Sequence, residues 1–337
     1  MAEAAGSIPA TGKGPVRALS SFAAVVLGGL AGVIFHPVVG LPIAAAGSAA
    51  LVYRRLTPVA VAASVVGGLL AGALASTTLY TVIVPLVGVE IVEWAAVVST
   101  VLAVASLVLV GPVGARAMRS LSPFVVTAML AAGLSALQLA ALWALASGVG
   151  QGLQSYLAEA IVGMIAATGG TGLVEETIVS LWPSMMVALN GFASLASVAA
   201  IGAMARRAGV AVRQYPALPA VDLDPRAALL PITAIVLLAA SRLQVGWAGT
   251  AETVGVNLLV VARWVFFLQG VAVFAGLYQR AGVSRPVRLL GFALLGVTEA
   301  LLPLVSLTGL ADVWLNIRRL PRDGAGRGAV EAPRSRD

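Results

Sequence analysis

The sequence is poor in the residues that carry most enzyme chemistry. It contains no cysteine, and His36 is the single histidine among 337 residues. The absence of cysteine excludes disulfides, thiolate nucleophiles, iron–sulfur clusters and cysteine-ligated zinc. A zinc site rich in histidine, or a catalytic triad built on histidine, would depend on one imidazole without the usual partners. We interpret His36, which precedes Pro37 between two apolar runs, as a turn residue at the membrane interface rather than a ligand or a base.

Charged residues are scarce as well, and this scarcity determines the fold class. They make up 10% of the chain, against 60% hydrophobic residues, and the mean hydropathy is +1.00. Because a soluble domain has roughly 25% charged residues, a water-soluble globule is excluded. A hydrocarbon core of about 30 Å takes about 20 helical residues per crossing. The sequence therefore predicts an all-α, polytopic transmembrane helical bundle of about 8–10 membrane helices, including short hairpins broken by proline.

The distribution of polar segments predicts the domain organisation. Residues 1–17 are mostly small or polar, and they are predicted to form a disordered N-terminal tail. Residues 18–320 are predicted to form a single integral membrane domain, in which residues 206–226 are a cytoplasmic connector. Residues 321–337 carry arginines among glycine and proline and are predicted to form a disordered basic tail.

The positions of the basic residues predict the topology. If the N-terminus is cytoplasmic, each basic cluster between apolar runs falls on the cytoplasmic side, apart from Arg242. The acidic loop residues then fall outside; they are Glu90, Glu93, Glu159, Glu175 and Glu176. An even number of crossings follows, so the C-terminus is cytoplasmic too and the last apolar block, Leu289–Trp314, is predicted to be a hairpin broken at Pro303. We predict a multi-pass protein of the plasma membrane whose net charge of +7 reflects topology and not nucleic-acid binding.

Two glycine pairs place small residues four positions apart on one helix face. Gly28 and Gly32 form one pair, and Gly68 and Gly72 form the other. Small residues at this spacing let two helix backbones approach closely in lipid. We interpret both pairs as faces for packing between helices of this chain, with docking of a partner protein as the alternative.

Few polar side chains interrupt the predicted spans. A charge at mid-bilayer costs roughly 2.5–3.5 kcal/mol on insertion scales, so such residues face the bundle interior and mark candidate sites. The polar residues inside the predicted spans are Gln138, Asn190, Asn257, Arg263, Gln269, Glu299 and Asp312. We expect Arg263 and Glu299 to pair, because one ion pair compensates both buried charges. Asp312, six residues before Arg318, is predicted to form a local salt bridge or a helix cap.

From this set we predict a substrate-binding site formed by Asn190, Arg263, Gln269 and Glu299. These side chains would line one cavity that opens to the outer face, with Arg263 as the contact for an anionic group and Glu299 as its counter-ion. A purely structural ion pair is the alternative, because buried charges often only satisfy one another.

The sequence contains no motif of a nucleotide-binding or metalloprotease site. There is no G-x-x-x-x-G-K-[ST] phosphate loop, so we predict that the chain does not itself hydrolyse ATP by that route. The H-E-x-x-H pattern is absent too. The glycine-rich segment Thr168–Gly172 falls in a predicted outer loop, where a nucleotide site is not expected. We therefore predict no catalytic residue, no metal and no cofactor.

The C-terminal third carries a resemblance to a known family. The run Val265–Val273 is followed by a basic turn, a proline-broken apolar block and the segment Gly309–Arg319, while Asn190 follows Trp182 and Pro183 in a middle helix. Together these segments resemble the YybS-like family of bacterial membrane proteins, a family of unknown function, over roughly residues 20–320. That family is similar to the substrate-binding (S) components of energy-coupling-factor transporters. The resemblance implies an α-helical membrane protein that binds a small molecule and docks on a separate ATP-driven module.

Three hypotheses for the function follow. The first is a non-enzymatic protein of transporter type, with the bilayer, a small-molecule solute and an ATP-driven transporter module or other membrane protein as partners. The second is a membrane scaffold or assembly factor without a ligand, whose intramembrane polar residues only fix packing. The third is an intramembrane enzyme that acts on lipid, which the poverty of aspartate, histidine and cysteine disfavours.

Overall fold

The computed structural model describes most of the chain. The described residues are 14–34, 36–82, 89–153, 155, 156, 158, 159, 162, 172–243 and 246–320. Over these ranges the regular structure is helical and no β-strand occurs, which confirms the predicted all-α class. The tail 321–337, most of the tail 1–17 and most of the segment Thr168–Gly172 lie outside the described residues, as do the side chains of Glu90, Glu175 and Glu176.

Ten α-helices of twelve or more residues account for most of the described chain. They are α1 (Gly14–Ile34), α2 (Pro37–Tyr53), α3 (Thr57–Val82), α4 (Val89–Val108), α5 (Pro123–Gly148), α6 (Gly172–Arg207), α7 (Leu229–Ala240), α8 (Ala248–Arg280), α9 (Arg285–Leu301) and α10 (Leu304–Leu315). A π-helical turn at Leu109–Val113 extends α4 into Gly114–Ala117, and 3-10 turns occupy Leu218–Ala220 and Pro225–Ala228. Helix α1 starts inside the predicted tail 1–17 because Pro15 is tolerated in a first helical turn.

The helices identify an integral membrane protein. Among the described residues, six helices are long and apolar enough to cross a bilayer, namely α1, α3, α4, α5, α6 and α8. The pair α9 and α10 passes the same criterion only when the two are taken together, and α2 and α7 are shorter apolar helices. The predicted count of about 8–10 membrane helices is reached only if short helices of this kind also cross.

The chain divides into two compact units. Unit 1 comprises Met1–Tyr215 and unit 2 comprises Pro216–Asp337. The boundary falls inside the predicted connector 206–226. A single membrane domain over residues 18–320 stays a prediction, as does the cytoplasmic location of both termini.

Unit 1 begins with an antiparallel helix hairpin. A Cβ atom added to Gly28 would lie 2.8 Å from the Gly40 carbonyl oxygen, and one added to Gly47 would lie 2.7 Å from that of Ser21. The two helices therefore run in opposite directions at backbone contact. The turn between them is formed by His36, whose Nδ1 accepts a hydrogen bond from the Val38 amide at 3.2 Å. This cap confirms the interpretation of His36 as a turn residue.

Helices α3 and α4 are also packed through glycine. A Cβ atom at Gly68 would lie 2.5 Å from the Val104 Cα atom, and one at Gly72 would lie 2.7 Å from the Thr100 Cα atom. Only glycine fits so close a backbone contact. Packing within the chain therefore explains Gly28, Gly68 and Gly72, whereas Gly32 has ordinary van der Waals space.

Unit 2 is organised around α8, a helix of 33 residues. Helix α10 runs in the same direction as α8, since Ser306 contacts Arg263 and Asp312 contacts Gln269 further along. The two backbones meet at Gly309, where an added Cβ atom would lie 2.6 Å from the Gly270 amide nitrogen. Helices α9 and α10 meet at 101° on either side of Pro303, so the last apolar block is broken there as predicted, whereas a hairpin of two crossings stays a prediction.

Candidate functional site

The first cluster of functional interest is a group of neutral polar side chains between α5 and α6 in unit 1. The Asn190 amide nitrogen donates to the Ser135 hydroxyl at 3.1 Å and to the Gln138 Oε1 atom at 2.9 Å. Asn190 is 3% exposed, so its position is fixed by packing as well as by these two bonds. Ser135 and Gln138 lie three residues apart on one face of α5, which is why one amide of α6 reaches both.

Three cavities of unit 1 border on Gln138. Their volumes are about 210, 290 and 280 Å³. The second is lined by Gln138, Asn190, His36, Trp182, Met185 and Met186, among other residues, and the third shares Trp182 and Met186 with it. Their walls are mainly apolar and carry no acidic or basic side chain other than the imidazole of His36. Cavities with mainly apolar walls and a few fixed polar groups are typical of small-molecule sites.

The two amides have hydrogen-bonding capacity left for a ligand. Asn190 uses both hydrogens of its nitrogen, and Gln138 uses its oxygen. Within the described part of the chain, no further bond engages the Asn190 oxygen or the Gln138 nitrogen. The cluster can therefore offer one acceptor and one donor to a molecule in the second cavity.

The second cluster is the predicted ion pair of unit 2. The Arg263 Nε atom lies 2.8 Å from the Glu299 Oε1 atom, and the Arg263 Nη2 atom also donates to the Glu299 backbone carbonyl. The prediction that these two charges pair is confirmed. Their environments differ, because the Arg263 side chain is 44% exposed and that of Glu299 is 7% exposed.

Glu299 also caps helix α10 across the proline break. Its Oε2 atom accepts hydrogen bonds from the Val305 and Ser306 amides, both at 3.1 Å, and its Oε1 atom lies 2.6 Å from the Ser306 hydroxyl. The first amides of a helix have no partner within that helix. The carboxylate therefore satisfies α10, while Arg263 compensates its charge.

An apolar cavity of about 350 Å³ adjoins this pair. Its wall contains one charged residue, Arg263, and one residue with a hydroxyl group, Ser306. The other wall residues are apolar and belong to α7, α8 and α10, together with Pro303. Arg263 thus pairs with Glu299 and also lines this cavity.

The third cluster is a buried network at the far end of α10. Arg318 is 2% exposed. Its Nε and Nη2 atoms donate to the Asp312 carboxylate at 3.0 and 2.8 Å. Its Nη1 atom donates to the backbone carbonyls of Pro219 and Val221. The predicted local salt bridge of Asp312 is therefore confirmed. The Gln269 amide nitrogen donates to Asp312 at 3.0 Å and to Asp222 at 3.1 Å.

The structure distributes the predicted site residues over these clusters. Asn190 belongs to unit 1, whereas Arg263, Gln269 and Glu299 belong to unit 2. Arg263 and Glu299 lie together. Gln269 belongs to the third cluster. It is 1% exposed, and its amide nitrogen donates to the carboxylates of Asp222 and Asp312. A role in solute binding stays a prediction for all four.

Sequence reasoning missed several members of these clusters. Gln138 could be found from the sequence, because it is a polar residue inside a predicted span. Its position beside Asn190 could not, because the sequence does not show that α5 and α6 are neighbours. Ser306 is an ordinary helix residue by sequence. Arg318 and Asp222 fall in interfacial segments, where charged residues need no special explanation.

The enzyme hypothesis requires two carboxylates that converge in an accessible cavity. Asp222 and Asp312 do converge, since both bond the same nitrogen of Gln269 and the same nitrogen of Arg318. The Asp312 side chain, however, is 0% exposed and fully engaged. Among the described residues, no group of three or more histidine, aspartate and glutamate side chains could hold a metal ion.

Comparisons of the chain with protein-family models, with curated proteins and with solved structures found no match. The resemblance to the YybS-like family therefore stays a prediction.

Proposed function

We propose that this integral membrane protein is of transporter type and holds a small solute in the cavities of unit 1, in the manner of a substrate-binding component that docks on a separate energising module. The observation that supports this most strongly is the position of Gln138. Its side chain borders on three cavities, and the buried amide of Asn190 holds it there. A binding group that is fixed by a second buried group is already arranged for its ligand.

The predicted topology places two of these cavities in the outer half of the membrane. His36 forms the turn between α1 and α2, and Trp182 lies in the first half of α6. With a cytoplasmic N-terminus, both segments are on the outer side. The proposed site therefore takes up its solute from outside.

The lining of the cavities indicates the chemistry of the solute. Apart from the His36 imidazole, the walls offer amides, hydroxyls and apolar groups. An ionised solute would lose its hydration without gaining an opposite charge. We expect an uncharged and largely apolar molecule that has at least one hydrogen-bonding group. Movement of this solute would draw its energy from a partner, because the sequence has no phosphate loop.

The alternative is a scaffold in which the amide cluster only joins α5 to α6. The two bonds made by Asn190 within the chain favour this alternative. Interhelical bonds of this type contribute about 0.6 kcal/mol on average, so the cluster is not needed for stability alone.

Native mass spectrometry of the purified protein distinguishes the two functions. We expect a co-purified small molecule on the unmodified protein, and its loss in Gln138→Leu and in Asn190→Leu. Asn257→Leu is the matched control, because Asn257 is an amide inside a span whose nitrogen bonds the Thr253 carbonyl of its own helix. Consistently empty spectra with a protein partner co-purifying would support the scaffold and contradict the proposal.

A further inference from the structure

Arg263 presents an open pair of hydrogen-bond donors in the middle of a membrane helix. It lies 15 residues after the start of α8 and 17 before its end. A helix of this length extends about 50 Å, so Arg263 falls close to the centre of the hydrocarbon core. At that depth a guanidinium with unused donors is costly, because lipid tails cannot accept its hydrogens and the hydrocarbon core holds no water that could.

The two bonds to Glu299 leave one edge of the guanidinium free. They use the edge that carries Nε and Nη2, with Glu299 Oε1 and the Glu299 carbonyl as acceptors. Within the described residues, Nη1 has no hydrogen bond and Nη2 has one. The edge formed by Nη1 and Nη2 therefore keeps two parallel donors, the arrangement that holds a carboxylate or phosphate through two hydrogen bonds.

The surroundings of this edge suit an apolar body. Arg263 lines the cavity of about 350 Å³, whose other walls include Leu259, Val260, Phe266 and Leu307. We propose that unit 2 binds a small monocarboxylic acid here, with the carboxylate on the open edge of Arg263 and the apolar body in the cavity. A lipid phosphate would offer the same oxyanion, but its head group lies about 15 Å from mid-membrane. The free acid is therefore the occupant that we assign.

Glu299 opposes this ligand while it orients the arginine. Its bond to Nε fixes the guanidinium plane, but its negative charge also repels the incoming carboxylate. The affinity for the carboxylate should therefore change in opposite directions when the two groups are removed. Loss of the open edge weakens binding, and loss of the Glu299 charge strengthens it.

Decanoate is the probe, with decanol as its uncharged counterpart and dihexanoylphosphatidate as the phosphate counterpart. Binding to the full-length protein in detergent is measured by titration in native mass spectrometry. We expect a decanoate adduct on the unmodified protein. Decanol fits the neutral site of unit 1, so its binding is expected to be the same in the unmodified protein and in Arg263→Lys. Arg263→Lys keeps the positive charge but loses the two parallel donors, so its affinity for decanoate is expected to fall about tenfold. Glu299→Gln is expected to raise the affinity by about tenfold.

A second pair of variants leaves both charges in place. Leu307→Trp fills the cavity and is expected to abolish the decanoate adduct. Leu302→Trp is its matched control, because Leu302 is exposed like Leu307 but does not line this cavity. Only variants that remain monodisperse are compared.

Equal affinity of the unmodified protein and Arg263→Lys for decanoate would overturn the proposal, and so would an equal loss of decanol binding in Arg263→Lys. Binding of dihexanoylphosphatidate without decanoate would overturn the assignment to a free acid. None of these results bears on the solute of unit 1, which the neutral amide site of Gln138 and Asn190 would take.

Discussion

Unit 2 contains two arginines that meet carboxylates at opposite ends of α10, and the two environments differ. Arg318, at the C-terminal end, is 2% exposed, and all three of its guanidinium nitrogens have acceptors. Arg263, at the N-terminal end, has a side chain that is 44% exposed and an Nη1 atom without a hydrogen bond among the described residues. Both arginines pair with a carboxylate that is at most 7% exposed.

The difference separates a structural ion pair from a candidate binding group. The network around Arg318 joins Asp312 of α10 to the backbone near Pro219, and it has no donor left for another molecule. Arg263 bonds Glu299 through the Nε and Nη2 edge of its guanidinium, keeps donors on the other edge, and is a residue that lines a cavity. The fold alone explains a buried arginine whose donors all have acceptors, whereas the free donors of Arg263 in the membrane interior require a further acceptor.

The largest effect is expected at Arg318. Arg318→Met leaves the buried Asp312 carboxylate without its counter-ion and should reduce the free energy of unfolding by about 3–5 kcal/mol. Thermal unfolding of the purified protein in detergent measures this loss. The double variant Arg318→Met with Asp312→Asn should recover part of it, because the fully buried position then carries no charge and only Asp222, which is 25% exposed, loses its counter-ion. A loss below about 1 kcal/mol in the single variant would show that the network is not structural.

The next effect concerns the contact that holds α10 against α8 between the two arginines. Gly309→Ala places a Cβ atom 2.6 Å from the Gly270 amide nitrogen, so the helices must separate. We expect a loss of about 1–3 kcal/mol, measured in the same way. Gly296→Ala is the matched control, because a Cβ atom at that glycine meets no atom within 4 Å. Similar stability of the two variants would contradict the close packing of α8 and α10.

A smaller effect on stability is expected when lysine replaces arginine at the exposed end. Arg263→Lys should lower the free energy of unfolding by about 1 kcal/mol, because the charge is kept and one of the two hydrogen bonds to Glu299 is lost. Arg318→Lys should cost several times more, since one ammonium cannot replace contacts with Asp312 and two carbonyls. Equal losses in the two melting curves would remove the distinction drawn between these arginines.

The smallest effect is expected in unit 1. Ser135→Ala removes one of the two acceptors of the Asn190 amide but leaves its bond to Gln138 in place. We expect a change of about 0.6 kcal/mol in the free energy of unfolding and retention of the bound molecule in native mass spectrometry. Loss of that molecule in this variant would indicate that the serine itself contacts the ligand.

Composition and charge alone were sufficient to predict the helical membrane class, the break at Pro303 and the pair of Arg263 with Glu299. The pair could be predicted because so few charges occur inside the spans that each has few available partners. Pro303 predicted the break because proline lacks a backbone N–H donor and disrupts a helix. Three of the four glycines in the two pairs, Gly28, Gly68 and Gly72, lie where helix backbones of this chain come into close contact.

The arrangement of the sites could not be predicted, because one sequence does not state which helices are neighbours. The bond between Asn190 and Gln138 joins residues 52 positions apart, and that between Gln269 and Asp222 joins residues 47 apart. The sequence therefore suggested one shared cavity, whereas the structure places Gln269 in a buried network of its own. Arg318 could be predicted as the local partner of Asp312 but not as a buried residue, since arginine serves both topology and burial.

Labelling from one side of the membrane tests the central claim, that the cavities of unit 1 open to the outer face, most directly. The chain has no cysteine, so Met186→Cys introduces a unique thiol into two of these cavities. A membrane-impermeant maleimide requires a thiolate in contact with water. We predict labelling of Met186→Cys from the outside of intact cells and none of Val198→Cys, which is 0% exposed. Labelling of Met186→Cys only from the cytoplasmic side, or from neither side, would contradict an outward-facing solute site.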